Sequence, residues 1–374
     1  MERWQTIIIG GGLAGLTAAL ELAKNGVSVL VIEKNSYPKH KVCGEYLSGE
    51  VVPYMESLGI ELEDAVKINT LEISNRSGNS LKTQLPLGGI GISRYALDQR
   101  MYQQAMNLGA DFKFSTATKI EYEDEEFTVH TLENEVLKTP VLIGAYGKRS
   151  NLDKNLGRPF IKKHAPWLGV KAHYHYKGFD DNLVGVHAFD GGYGGLSKTE
   201  TGLVNFCYLA NYEVFKKFGD IEAFNRHIVT KNPQLKMLLN NGEPEFDKPI
   251  SIAQVSFEKK MQVENHILMC GDAAGLIHPL CGNGMAMAIH SGKIASELTR
   301  RFLEDQNFGR SDMEVAYIKN WNRNFGQRLR WGRYLQNLIL NPMMSNLLIS
   351  SLTRFHSITR TIIKKTHGNP IEIK

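Results

Sequence analysis

A glycine pattern near the start constrains this chain more than any other feature. The β-branched run Thr6–Ile9 meets Gly10-x-Gly12-x-x-Gly15, which opens directly into LTAALELAKNG. That second stretch has apolar residues at helical spacing and a helix stop at Gly26. VSVLVIE follows, reads as a buried strand and ends at Glu33. Strand, glycine loop, helix and strand in about thirty residues make a βαβ unit. In such a unit the first glycine permits a tight turn. The second lets backbone N–H groups approach a pyrophosphate, and the third lets helix and strand pack closely. The helix N-terminus adds partial positive charge for phosphates. Glu33 can accept from both hydroxyls of an adenosine ribose, which favours a ribose without a 2′-phosphate. The pattern predicts a dinucleotide site and leaves NAD and FAD open.

Length and composition narrow the rest. The 374 residues suit two or three domains, and 42% apolar with 22% charged residues exclude a disordered tail, a collagen-like chain and a coiled coil. The net charge of +5 comes with no basic run of nucleic-acid type, so no nucleic-acid partner is expected. Cys43, Cys207, Cys270 and Cys281 form no CxxC pair, so no metal site is expected and a reducing, cytoplasmic setting is. No secretory leader is visible, because glycines break the apolar stretch Ile7–Leu20.

Further along, Gly78-Asn79 marks a hairpin tip, and Ser93 caps a helix to Leu108. Thr118–Tyr122, Glu126–Leu132 and Val136–Lys138 read as a small antiparallel meander, and VLIG at 141–144 as another strand. Ile267–Cys270 is a strand entering Gly271-Asp272, and Gly284–Leu303 is a long helix. βαβ-type elements thus recur at the start, middle and late third, with β-rich inserts between them.

Two later segments separate the cofactors. Residues 267–285 read ILMCGDAAGLIHPLCGNGM, and residues 93–101 read SRYALDQRM. With the N-terminal unit they resemble the flavoprotein superfamily of p-hydroxybenzoate hydroxylase and geranylgeranyl reductase, over most of residues 1–310. The resemblance implies an α/β fold: a discontinuous Rossmann-like FAD domain, an antiparallel β-sheet substrate domain and C-terminal helices. It implies an FAD domain of residues 1–67, 94–165 and 262–309, a substrate domain of 68–93 and 166–261, and a basic helical tail of 310–374. The implied cofactor-binding set is Gly10, Gly12, Leu13, Ala14, Gly15, Glu33, Lys34, Cys43, Arg94, Gly271, Asp272, Gly282, Asn283, Gly284 and Met285. Asp272 would accept from a ribityl hydroxyl, and the Gly282–Gly284 turn would offer N–H groups to the flavin's pyrimidine end. For Arg94 a surface salt bridge is the competing reading.

Lys41-Val42-Cys43-Gly44-Glu45-Tyr46-Leu47-Ser48 carries the C-G-x-x-L-S pattern of the geranylgeranyl reductase group. The resemblance puts this loop beside the flavin and makes Cys43 and His278 the candidate catalytic residues; packing is the competing reading for both. Departures accompany it. Tyr146 stands where many relatives have Asp, which leaves the reductant, NADH or NADPH, open. Tyr193-Gly194-Gly195 lacks the Trp and Pro of the reductases, and its glycines are read as making room over the flavin. These features favour an NAD(P)H-driven monooxygenase using O2 on a lipophilic, ring-bearing substrate such as a polyketide or phenolic lipid. The C-G-x-x-L-S loop and Ser291-Gly292 favour the alternative, a reductase of C=C bonds in an isoprenoid or polyene. A halogenase-like enzyme or a non-catalytic flavin-binding sensor completes the set.

Two patterns remain. In WLGVKAHYHY, Lys171, His173 and His175 share one strand face, read as the exposed polar face of a half-buried sheet or, alternatively, as a proton-transfer group. From Val315 to Pro370 there are nine Lys or Arg and no Asp or Glu, a basic tail with apolar residues between. It is read either as helices packed on the body or as a lid that touches anionic lipid on the inner membrane surface.

Overall fold

The computed structural model describes residues 2–276, 282–341, 344 and 368–373. His278 and Cys281 lie outside the described residues.

The opening βαβ unit forms as its pattern dictates. Thr6–Ile9 and Val29–Glu33 pair in parallel, and Leu13–Lys24 is the helix between them. Gly10 sits at φ +103°, a conformation that side chains rarely adopt, and a Cβ there would overlap the Ala145 carbonyl. At Gly15 a Cβ would overlap the Gly10 carbonyl oxygen, so the third glycine is what lets the helix rest on the strand. Val141–Gly144 pairs on the other side of Thr6–Ile9, and Ile267–Met269 pairs beyond it. Asp111–Phe114 and Val263–Glu264 complete a six-stranded sheet, parallel except at its Val263 edge. The late third of the chain therefore returns to lie two strands from its first.

The long helix Gly284–Glu304 crosses Leu13–Lys24 tightly, because Gly292 stacks on the Ala14 carbonyl with no side chain between. Helix Arg310–Leu340 then packs back with Met313, Tyr317, Trp321 and Phe325, an i, i+4 ladder on one face. The Tyr317 hydroxyl donates to the Met269 carbonyl at 2.5 Å and lies 3.2 Å from the Cys270 thiol, locking helix to strand. Cys270 is core. The segment 368–373 returns to this half, with Ile371 N–H donating to Glu50 O at 3.0 Å.

The meander at 117–139 joins Glu2–Arg3 in a separate four-stranded sheet. The β-rich inserts form a nine-stranded sheet, mostly antiparallel, containing Val66–Ser74, Ser80–Gly91, Trp167–His175, Leu183–Phe189, Gly192–Lys198 and Val204–Asn211. Tyr46–Ser48 also belongs to it, paired with Ser80–Gly91. One face carries Val170, Ala172, Tyr174, Phe206 and Tyr208 and is covered by Phe224, Leu235 and Leu238 from short helices. The opposite face turns toward the glycine loops. Its register sets Lys171 beside Cys207 and Cys207 beside Gly195.

That register corrects two readings. Lys171 and His173 are 0% and 2% exposed, so they are not an exposed polar face; only His175 is exposed, paired with Glu245 at 2.7 Å. Gly194 lies on the covered face, where a Cβ would press within 2.6 Å of the Phe206 ring, so it makes room for Phe206 and not for a substrate. Gly195 alone opens the other face. Among the described residues, no helix is long and apolar enough to cross a membrane.

Candidate functional site

The helix Leu13–Lys24 begins at Gly12 without a side-chain cap, leaving its first N–H groups to the loop. A Cβ on Gly12 would meet only Arg94 Nη2, at 3.8 Å. The space over Gly12 is thus a cradle bounded by backbone N–H groups and a guanidinium, which is what a pyrophosphate requires. Glu33 stands at the end of the second strand, 8% exposed, and accepts from Gly11 N–H at 2.7 Å and Asn35 N–H at 3.0 Å. It therefore braces the glycine loop. Tyr37 seals this end by donating to Gly11 O at 2.5 Å and stacking on Tyr102. Lys34 is exposed.

Arg94 opens helix Arg94–Asn107, which Ser93 caps by accepting from Ala96 N–H. Its Nε and Nη2 bind the Asp98 carboxylate at 2.6 and 2.7 Å, and Lys41 binds the same group at 2.9 Å. The Arg94 and Asp98 side chains are 13% and 1% exposed, so a surface salt bridge is not what forms. Burial works against charge on both groups. The Asp98 carboxylate and the Cys43 thiol outweigh it at Arg94 and hold its pKa above the ordinary value, while Arg94 and Lys41 hold Asp98 below its own. Arg94 thus links the pyrophosphate cradle to Cys43.

Cys43 is half-buried. Its thiol accepts from Glu45 N–H at 3.5 Å, and its carbonyl accepts from Asn205 Nδ2 at 3.2 Å. Ser197 Oγ donates to Gly44 O at 3.0 Å. The loop is therefore held down on the open face of the nine-stranded sheet, near Cys207, whose thiol burial pushes up to about 12 with Cys43 as the next contributor.

The second glycine turn closes the other end. Gly282 takes φ +66° with its Cα side facing the Tyr46 ring, and Asn283 leads into the helix at Gly284, with Met285 buried in its first turn. Gly271–Ala273 forms a single 3₁₀ turn that leaves Asp272 half-exposed. Two buried cations hold this turn from beneath. Arg158 donates to Ala273 O at 3.0 Å and Lys260 to Asp272 O at 2.7 Å, and burial lowers Lys260 to about 8. The Cys43 loop thus lies between the Gly12 cradle and the Gly282 turn. Tyr193, Leu209, Val186 and Leu276 form an apolar floor beyond it, beside Gly195, and Tyr193 meets Gln336 of helix Arg310–Leu340 at 3.4 Å.

Several contributors are not visible in the sequence pattern. Glu45 is fully buried at φ +53°, a conformation uncommon outside glycine, and it bonds to both Lys171 and His173. The alternation of Lys171, His173 and His175 along one strand is the signal the sequence carries. Tyr146, standing for the usual Asp, is half-buried with its hydroxyl 3.4 Å from Met269 Sδ.

A glycine cradle at a helix N-terminus, a strand-end carboxylate and a second glycine turn from a distant segment define a flavin-binding α/β enzyme, an FAD-dependent oxidoreductase. The chain belongs to the FAD binding domain family, whose model matches residues 3–299. The chain is 26% identical over 334 residues to a digeranylgeranylglycerophospholipid reductase of Methanocaldococcus jannaschii, covering 85% of this chain and 82% of that protein. It is 25% identical over 311 residues to a menaquinone reductase of Mycobacterium tuberculosis, covering 78% and 75%. The flavin-dependent brominase Bmp2 superposes with a TM-score of 0.78 at 19% identity, covering 96% of this chain and 92% of that one.

Proposed function

We propose that the chain is a reductase of carbon–carbon double bonds in a lipophilic isoprenoid or quinone-type substrate, with NADH or NADPH as reductant. FAD, when bound, supplies the hydride. The protein's own task is to orient the alkene, exclude water and place a proton on the second carbon. One observation carries this reading: a half-buried thiol, Cys43, is held by the Glu45 N–H and the Arg94 guanidinium between the two glycine turns. A thiol held in that place can donate its proton to the second carbon of the alkene. The named relatives, both reductases of isoprenoid-bearing lipids or quinones by their names, support the same direction.

A second reading, an NAD(P)H-driven monooxygenase, rests on Gly195. It leaves the sheet face open between Val186 and Cys207, beside Tyr193, which suits a flat ring-bearing substrate oxidised with O2. Anaerobic incubation of FAD-loaded protein with dithionite and a geranylgeranyl lipid separates the two. The reductase reading expects a product heavier by two hydrogens without O2, and loss of turnover in Cys43→Ala. A product that gains oxygen, or no turnover until air is admitted, sinks it.

The tail carries its own proposal. Lys319, Arg323, Arg330 and Arg333 are exposed and recur on one side of helix Arg310–Leu340, and Tyr334 is 71% exposed beside them. This stripe is fitted to reversible contact with an anionic lipid surface, where such a substrate would dissolve.

A further inference from the structure

Behind the Cys43 loop lies a buried acid–base cluster that the proposed reduction leaves without a role. Glu45 Oε1 accepts from Lys171 Nζ, and Glu45 Oε2 accepts from His173 Nε2 at 2.7 Å. Oε1 also takes the Arg94 backbone N–H at 2.7 Å. The side chains of Glu45 and Lys171 are 0% exposed and that of His173 is 3%. Burying a carboxylate and an ammonium costs several kcal/mol per ion, and a well-packed apolar pair would often serve stability as well. The retention of charge here calls for another reason.

His40 supplies the opening to solvent. It is partly exposed, and its ring meets His173 edge-on with centroids 5.3 Å apart. Tyr95 and Phe246 flank it at 4.6 and 4.8 Å, and Phe246 also stacks on His173 at 5.0 Å. Its Nδ1 is buried with no hydrogen-bond partner. One ligand atom each from His40, Glu45 and His173 fall within 4.8 Å of one another, the span of one water or one proton transfer. A divalent cation is the competing occupant, but the Lys171 ammonium already holds the carboxylate that such an ion would need, and its charge repels one.

We propose that His40, His173 and Glu45, with Lys171 as fixed counter-charge, return protons from solvent to Cys43. The inference rests on the reading of Cys43 as proton donor. One proton and no electrons move. A proton enters at the His40 imidazole, passes through His173 and Glu45, and re-forms the S–H bond of the Cys43 thiolate. Glu45 sets the two ends of this path side by side, its N–H on the Cys43 sulfur and its carboxylate in the cluster, and a water carries the proton from carboxylate to sulfur, since an amide N–H does not. The charged or titratable groups facing the cluster are Lys41, Cys43, Arg94, Asp98, Glu200 and Cys207. Burial, Lys171 and His173 lower His40, and for Glu45 burial is outweighed by His173 and Lys171, which hold it below the usual carboxylate range. At neutral pH the His40 imidazole is therefore a neutral carrier.

The test uses FAD-loaded, full-length protein with His40→Ala and, as a gentler change, His40→Gln. His40 is a surface-reaching ring, so both variants are expected to fold and keep FAD. Turnover at neutral pH should fall about tenfold or more, with flavin reduction by dithionite unchanged and a larger solvent deuterium isotope effect. Added imidazole should restore turnover in His40→Ala, which a packing role would not allow. Independently of turnover, ¹⁵N NMR should show His40 and His173 titrating as a coupled pair, and Glu45→Gln should uncouple them. Independent titration, a loss that imidazole does not rescue, or tight zinc binding that needs all three residues overturns the proposal. Failure of the underlying reading is seen separately: Cys43→Ala would then turn over like the parent whatever His40 does.

Discussion

The Gly12 cradle and the Cys43 loop lie next to each other and are built by opposite means. The cradle is made of backbone: four glycines within six residues, a helix N-terminus and one strand-end carboxylate. The Cys43 loop is held by side chains that arrive from far along the chain, Lys171 from 126 residues away, Asn205 from 162 and Ser197 from 153. A backbone site is specified by what is missing, since any Cβ fills it. A side-chain site is specified by partners, and it fails when one partner is removed.

The largest expected effect tests the first half. Gly12→Val should leave the fold intact and abolish FAD binding, because its Cβ meets open space that only the cofactor needs. Gly15→Val should not fold at all, because its Cβ overlaps the Gly10 carbonyl. Circular dichroism and flavin absorbance on both proteins check the contrast. Normal flavin content in Gly12→Val would remove the cradle from the site.

On the other side of the comparison, Lys171→Met leaves Glu45 buried with an uncompensated charge. The expected loss of stability is about 3–5 kcal/mol, read by urea denaturation. Lys171→Met combined with Glu45→Gln should recover part of it, and a double-mutant cycle gives the coupling. Additive losses would mean that the ion pair is not what holds the loop.

Acid should act on both regions. Burial lowers His187 of the large sheet to about 3 and His290 of the Gly284 helix to about 4. Below about 6.5 the unfolded chain binds a proton at each position that the folded chain does not, so stability falls as pH drops toward those values. Each histidine contributes about 1.4 kcal/mol per pH unit in that window. His187→Gln and His290→Gln should each flatten the dependence of unfolding free energy on pH. An unchanged slope in either variant would show that this imidazole does not enter the native state neutral.

The smallest effect lies on the surface. Neutralising Lys319, Arg323, Arg330 and Arg333 one at a time should weaken binding to phosphatidylglycerol vesicles by about 1 kcal/mol each at low salt. Co-sedimentation that is insensitive to salt and to these changes would leave helix Arg310–Leu340 as packing only.

The backbone half of this comparison is legible in the amino-acid sequence, and the side-chain half is not. The opening βαβ unit, the Ser93 cap, the Gly78 hairpin and the helix from Gly284 all lie where local pattern places them. Each is a short-range decision of steric, capping or periodic origin. Lys171 and His173 defeat the pattern for a physical reason. Alternation along a strand says which residues share a face, but not what covers that face. Here Glu45 covers it, and Glu45 reaches it only because its loop turns at a positive φ. Gly194 misleads in the same way, since Phe206, which needs its missing side chain, sits on another strand.

By itself the sequence determined the dinucleotide cradle and its helix and strands, because these depend on backbone geometry over a few residues and on glycine at particular positions; FAD over NAD came from the resemblance of two later segments to known flavoproteins. Only the tertiary structure decided that Arg94 is buried between cradle and thiol, and that a carboxylate, an ammonium and two imidazoles meet behind Cys43. The reason is desolvation: a charge declares its role only once its neighbours exclude water, and those neighbours are chosen by sheet register and chain crossing, which no local window contains.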